Sequence, residues 1–260
     1  MSTENGCLFA GQPFFCYFCA PMKRSLLIGL LLLFLVPLAW SQGRYRPGDV
    51  VPEPYLKVYG FQDFFRSSSI PEPVKTKMEG CSYKEMAGIC WDDLRYLQVL
   101  HRDADGNAIV GEMVCNSSIA EDLMEIFRSL FLSGYPIERM RLVDVYGGDD
   151  EASMRDNNTS CFNQRQITAG GMLSRHSFGM AVDINPRYNP YYQVKNGQTI
   201  IEPVGSEEFV DREGQSPYQI KKGDLCYRLF RQHGFHWGGD WTRYKDYQHF
   251  ERSQTSNRYE

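Results

Sequence analysis

His176, Asp183, Asp246 and His249 stand out because residues of these types could together hold and use a metal ion. A catalytic zinc needs about three protein ligands drawn from His, Asp, Glu or Cys, plus an open position for a water whose pKa falls to roughly 7. His176, Asp183 and His249 can supply that set. Asp246 lies three residues before His249, so one turn of backbone can bring its carboxylate beside the water, which makes it the candidate general base. Blander roles compete. Asp183 could cap a turn before Asn185-Pro186, but a carboxylate inside an apolar strand is costly unless it is paired or bound to metal. His233 and His236 flank Gly234 as a helix end and loop would, and the ligand set is full without them.

These side chains need elements to hold them. Met180 to Ile184 alternates, with Ala181 and Asp183 on one side and Met180, Val182 and Ile184 on the other, so a core strand carries Asp183 on its polar side. Leu94 to His101 and Ala108 to Val114 read as a hairpin across Asp103-Ala104-Asp105-Gly106-Asn107. The two aspartates of that turn lack the further ligands of a calcium loop. Ile119, Leu123, Ile126, Phe127 and Leu130 recur at helical spacing within 118–133, behind Asn116 or Ser117 as a cap. Arg139 to Tyr146 reads as a strand ending at Gly147-Gly148, and Leu225 to Gln232 as a helix stopped by Gly234. Trp237 to Trp241 forms a tight loop into a last strand around Tyr247 to Glu251. Without regular βαβ alternation, the expected class is α+β, a small antiparallel sheet flanked by helices.

The chain has 260 residues, 42% of them hydrophobic and 14% aromatic, enough for a folded domain. Lys23-Arg24 followed by the apolar run Leu26 to Trp40 reads as a secretory signal, cleaved between Ser41 and Gln42, and the run is too short for a membrane anchor. Met22 makes a more natural start than Met1, which leaves Cys7, Cys16 and Cys19 in an over-extended leader. The expected organisation is an extension and signal over 1–41, an irregular arm over 42–92 and a catalytic domain over 93–260. Residues 1–41 carry two basic groups and one acidic, so the exported chain keeps 26 basic against 31 acidic side chains. That balance excludes the basic stripe of a nucleic-acid binder. Cys81, Cys90, Cys115, Cys161 and Cys226 remain, an odd set in which Cys81 and Cys90 are close enough in sequence to pair. Asn116-Ser117-Ser118 and Asn158-Thr159-Ser160 match glycosylation sequons, a pattern common by chance.

The run Ser174-Arg175-His176-Ser177-Phe178-Gly179-Met180-Ala181-Val182-Asp183-Ile184-Asn185-Pro186, with Asp246-Tyr247-Gln248-His249 downstream, resembles the VanY-type zinc peptidases. The family includes D-alanyl-D-alanine carboxypeptidases and L-alanyl-D-glutamate endopeptidases, and shares its fold with the hedgehog signalling domain. Asp156 to Asn163 with Arg165, Asn189-Pro190-Tyr191 and Trp237-Gly238-Gly239-Asp240-Trp241 resemble one exported branch, so the likeness runs from Tyr96 to Glu251. It implies a Zn2+ cofactor on His176, Asp183 and His249, Asp246 as the base, Arg165 as the cation that steadies the oxyanion, and Ser174 binding substrate or orienting the site. Many members have Glu at the position of Asp246. The implied protein is a monomeric, secreted or periplasmic hydrolase acting on peptidoglycan stem peptides, with no nucleic-acid partner. The leading expectation is a D-Ala-D-Ala carboxypeptidase-like activity, and the alternatives are an L-Ala-D-Glu endopeptidase or a hedgehog-like zinc-binding module without turnover.

Overall fold

The computed structural model describes residues 45–84, 88–165, 173–214 and 216–253. The expected signal over 1–41 and Cys7, Cys16 and Cys19 lie outside them. Among the described residues the strands run β1 (Val50–Val51), β2 (Arg66–Ser68), β3 (Leu94–Arg102), β4 (Ala108–Asn116), β5 (Arg139–Met140), β6 (Asn158–Thr159), β7 (Ala181–Asp183), β8 (Tyr191–Lys195), β9 (Gln198–Glu202), β10 (His236–Trp237), β11 (Lys245–Asp246) and β12 (His249–Glu251). They form an antiparallel sheet in the order β1-β4-β3-β2, two three-stranded antiparallel sheets, β10-β12-β7 and β11-β8-β9, and a parallel pair β5-β6. The class is α+β, as the lack of βαβ alternation predicts, with several small sheets in place of one.

The β3–β4 hairpin forms over the expected residues, in register from Leu94↔Asn116 to Arg102↔Ala108. Against it packs the helix Ala120–Leu132, entered through a 3-10 turn, Ser117–Ile119, that Asn116 caps by accepting the Ser118 N–H at 3.0 Å. Its apolar stripe, Leu123, Ile126, Phe127 and Leu130, is buried. Phe127 meets Phe230 of the helix Leu225–Gln232 edge to face, and Phe230 stacks on Phe250 at 4.2 Å between ring centres. Phe250 thus faces the core, while its neighbours His249 and Glu251 point to the opposite face of β12.

Two expectations need correction. The described residues within 42–92 are not an irregular arm apart from the domain. Val50 pairs with Ile109 and Arg66 with Gln98, so β1 and β2 extend the main sheet on both edges. Two short helices, Glu53–Tyr59 and Glu72–Met78, each enter with Pro in the first turn, where the missing N–H costs no helical hydrogen bond. Nor is Arg139 to Tyr146 one strand. Only Arg139–Met140 pairs, and Val143–Tyr146 winds into a 3-10 turn whose Asp144 carboxylate accepts the Ser82 N–H at 3.1 Å and hydroxyl at 3.0 Å. That pair of bonds favours the turn over a ladder.

The five described cysteines are free thiols, and the Cys90 thiol donates to Asp93 at 2.9 Å rather than joining Cys81. Both sequon asparagines are buried and hydrogen-bonded, Asn158 donating to Arg141 O at 3.0 Å, which leaves no room for a glycan. Among the described residues no helix is long and apolar enough to cross a membrane.

His101 of β3 is fully enclosed and donates from Nδ1 to Ile137 O at 2.7 Å. Burial pushes its pKa down to about 4, against the smaller upward pulls of the Ile137 carbonyl and Asp103. The ring is therefore neutral in the fold, whereas the unfolded chain takes up a proton near pH 6.5. The stability tied to this difference, on the order of 3 kcal/mol, is whole above pH 6.5 and is lost as pH falls toward 4. Denaturant midpoints at pH 7 and 4.5 should separate less in His101→Gln than in the wild type. Equal separation would remove His101 from the acid response.

Candidate metal centre

His176 sits on a 3-10 turn, Arg175–Phe178, begun by Ser174, whose hydroxyl accepts the His176 N–H at 3.3 Å. Gly179 ends the turn with φ 64° and donates back to His176 O at 3.0 Å. A Cβ at Gly179 would stand 2.6 Å from Asn116 N, so only glycine lets the turn dock on the end of β4. Asn116 fixes that docking by donating from its backbone to Gly179 O at 2.9 Å and from its side chain to Phe178 O at 3.1 Å. The hydroxyl of Ser174 is thus engaged in shaping the turn that carries His176.

Asp183 and His249 face each other across one antiparallel ladder. β7 and β12 pair with Asp183↔His249, Val182↔Phe250 and Ala181↔Glu251 in register. Directly opposed residues share a face, so the register alone sets Asp183 beside His249 while Val182 and Phe250 enter the core. The spacing-based reading of Met180 to Ile184 therefore holds for the side that carries Asp183.

The three side chains converge in a buried cluster, with His176 3%, Asp183 5% and His249 7% exposed. His176 Nε2 lies 3.1 Å from Asp183 Oδ2, His249 Nδ1 lies 3.0 Å from Asp183 Oδ1, and the two nitrogens are 3.2 Å apart. Tetrahedral metal bonds of about 2.0–2.1 Å set neighbouring donors roughly 3.3 Å apart, so this spacing fits a single ion. The remaining nitrogens are also accounted for. His176 Nδ1 donates to Cys161 O at 2.6 Å, which leaves Nε2 as the free donor toward the cluster. Burial pushes the Asp183 carboxyl up, but the imidazoles, His176 foremost, more than offset it and hold it below the usual carboxylate range. His249, despite burial, is pushed up to about 10 by Asp183 and Glu251. The pocket concentrates negative charge on whatever cation it takes, and its two imidazoles and one carboxylate suit a divalent metal.

Asp246 pairs with Tyr191 across β11 and β8. Its Oδ1 is buried and has no hydrogen-bond partner among the described residues. Burial pushes its pKa up to about 6, with the His249 charge pulling down and Asp183 pushing up. Gly238 backs it closely, since a Cβ there would stand 2.8 Å from Asp246 Cβ and 2.5 Å from its carbonyl oxygen. Gln248 also hydrogen-bonds the side chain, but a carboxyl with one buried oxygen left open beside a His–Asp–His cluster is the arrangement a proton carrier needs.

Arg165 lies on the segment beside the His176 turn, where its N–H donates to Ser177 Oγ at 2.9 Å and Asn163 N–H donates to His176 O at 3.2 Å. Its guanidinium pairs with Asp150 at 2.9 Å and makes no ion pair with the cluster among the described residues. His233 pairs with Asp122 at 2.9 Å, and His236 meets Arg231, so neither joins the cluster. Trp237 is buried and donates to Tyr247 O at 2.8 Å, whereas Trp241 is half-exposed with its ring centre 5.4 Å from that of His249.

Sequence reasoning missed the β8–β9 hairpin that supports Asp246, although Asn196-Gly197 between two alternating segments is a strong hairpin signal. It also passed over Glu251, two residues beyond His249 and on the same face.

Residues 168–252 match a family model described as D-alanyl-D-alanine carboxypeptidase, VanY-like, over a span that holds His176, Asp183, Asp246 and His249. That family is one of metallopeptidases, and the match supports a peptidase of this general kind. No curated protein and no solved structure matches the chain.

Proposed function

We propose, taking the match to the carboxypeptidase family as the premise, that this protein is an exported zinc peptidase that hydrolyses an amide bond in the peptide stem of peptidoglycan. The observation that carries the reading is Asp246, whose Oδ1 is buried without a hydrogen-bond partner among the described residues and whose charge interacts with Asp183, His176 and His249 of the cluster. A site that only held metal for structure would have no use for it.

His176, Asp183 and His249 would hold the ion through Nε2, a carboxylate oxygen and Nδ1. When bound, zinc supplies Lewis acidity, polarising the scissile carbonyl and acidifying water. Asp246 takes the proton from the attacking water and returns it to the leaving amine. With its pKa raised to about 6 it stands closer to working pH than an ordinary carboxylate, as a proton shuttle requires. Arg165 is the cation assigned to the developing oxyanion, and its ion pair with Asp150 fixes the guanidinium. Burial of the cluster strengthens each of these charge interactions by excluding water. Export rests on the basic pair and apolar run before Ser41.

The test is incubation of the purified protein with defined muropeptides, in chelated and zinc-restored samples, read by mass spectrometry. Zinc-dependent loss of a terminal D-alanine is the expected result. Release of the stem after L-alanine would make the enzyme an endopeptidase. Intact muropeptides from a zinc-loaded protein would overturn the reading in favour of a metal-binding module.

A further inference from the structure

The ligand on β12 has an unassigned companion. Glu251 Oε2 lies 3.2 Å from His249 Nε2, the ring nitrogen that points away from Asp183 and His176. The strand period puts both side chains on one face, and the register supplies the room, since Glu251 stands opposite Ala181. A methyl group there leaves the glutamate free to lean along the strand toward the imidazole. The carboxylate is 30% exposed, and its one ion pair among the described residues is to His249. Across β10 the opposed residue is His236, whose ring meets Arg231 instead.

Resting on the zinc reading above, we propose that Glu251 is a positioning residue of the metal centre: its carboxylate accepts the Nε2–H of His249 and so presents Nδ1 to the ion. A histidine ligand whose far nitrogen is held by an acceptor keeps one tautomer and one ring orientation, and gains basicity when the acceptor is a carboxylate. The Cys161 carbonyl does the same for His176 at its Nδ1. The two imidazoles therefore present different nitrogens, Nε2 from His176 and Nδ1 from His249, and each choice is fixed by the acceptor behind it. The backbone carbonyl is beyond mutation, so Glu251 is the half of this arrangement that substitution can reach.

Competition for zinc between the full chain and a chromophoric chelator tests the assignment. Glu251→Ala should bind zinc about 10- to 100-fold more weakly, and Glu251→Gln, which keeps an acceptor oxygen, should recover most of the loss. Two-bond proton–nitrogen spectra of the zinc-loaded wild type give a second measurement, free of any folding defect in the variants. They should show the His249 proton on Nε2. Wild-type affinity in Glu251→Ala, or a proton on Nδ1, overturns the role of Glu251 while leaving the zinc site intact. A wild-type protein that takes up no zinc overturns the metal reading and this role with it.

Discussion

His176→Ala is expected to reduce bound metal from about one ion per chain to near zero and peptidase turnover to background. The imidazole is one corner of a three-donor cluster, 3.1 Å from Asp183 and 3.2 Å from His249. Removing it leaves two donors, too few for a catalytic zinc to outcompete water and buffer. It also leaves Cys161 O without the 2.6 Å hydrogen bond it accepts from Nδ1. The turn itself should survive, because Ser174 and Gly179 shape it through the backbone of His176 rather than its ring. Metal analysis by mass spectrometry, alongside circular dichroism, checks both parts. A folded variant that still holds stoichiometric metal would show that the ion sits elsewhere.

Asp246→Ala should behave in the opposite way toward the metal, retaining it while turnover falls by about 10²- to 10⁴-fold, the usual worth of a general base. Its stability should not suffer. The carboxyl is buried, its Oδ1 is unpaired among the described residues, and its raised pKa means that folding disfavours the charged form. Deleting such a group removes a desolvation cost, so the melting temperature should hold or rise slightly as activity collapses. Thermal melts and a peptide assay on one preparation read both effects. Full activity in the variant would eliminate Asp246 as the base, and a large fall in melting temperature would make it a structural residue.

What the sequence disclosed follows from the length and regularity of each element. The β3–β4 hairpin and the helix Ala120–Leu132 were legible because nine-residue strands and a thirteen-residue helix repeat their pattern often enough to be seen. The cluster of His176, Asp183 and His249 was legible because its residue types are costly to bury without a purpose. β1, β2, β5 and β6 have two or three residues each and owe their form to the partners they pair with, which no local pattern encodes. The helices Glu53–Tyr59 and Glu72–Met78 did leave a trace, since each opens on Pro-Glu-Pro, the proline and acidic residue favoured in a first turn. Arg139 to Tyr146 misled because its apolar content looks the same in a strand and in a 3-10 turn pinned by Asp144. The resemblance makes Arg165 the cation that steadies the oxyanion, and its pairing with Asp150, fifteen residues earlier, is a tertiary fact no local pattern encodes.

The ladder between β7 and β12 would give a metal at this cluster a second meaning. Because side chains alternate along a strand, a slip of one residue would turn Phe250 toward the cluster and His249 into the core. Only one alignment of the C-terminal strand therefore assembles the donors, and an ion that binds this alignment and no other stabilises it by mass action, by about 2.7 kcal/mol at a hundred times the dissociation constant. A metal held by this cluster would thus proofread the fold as well as serve the site, rewarding the chain for closing with β12 in step.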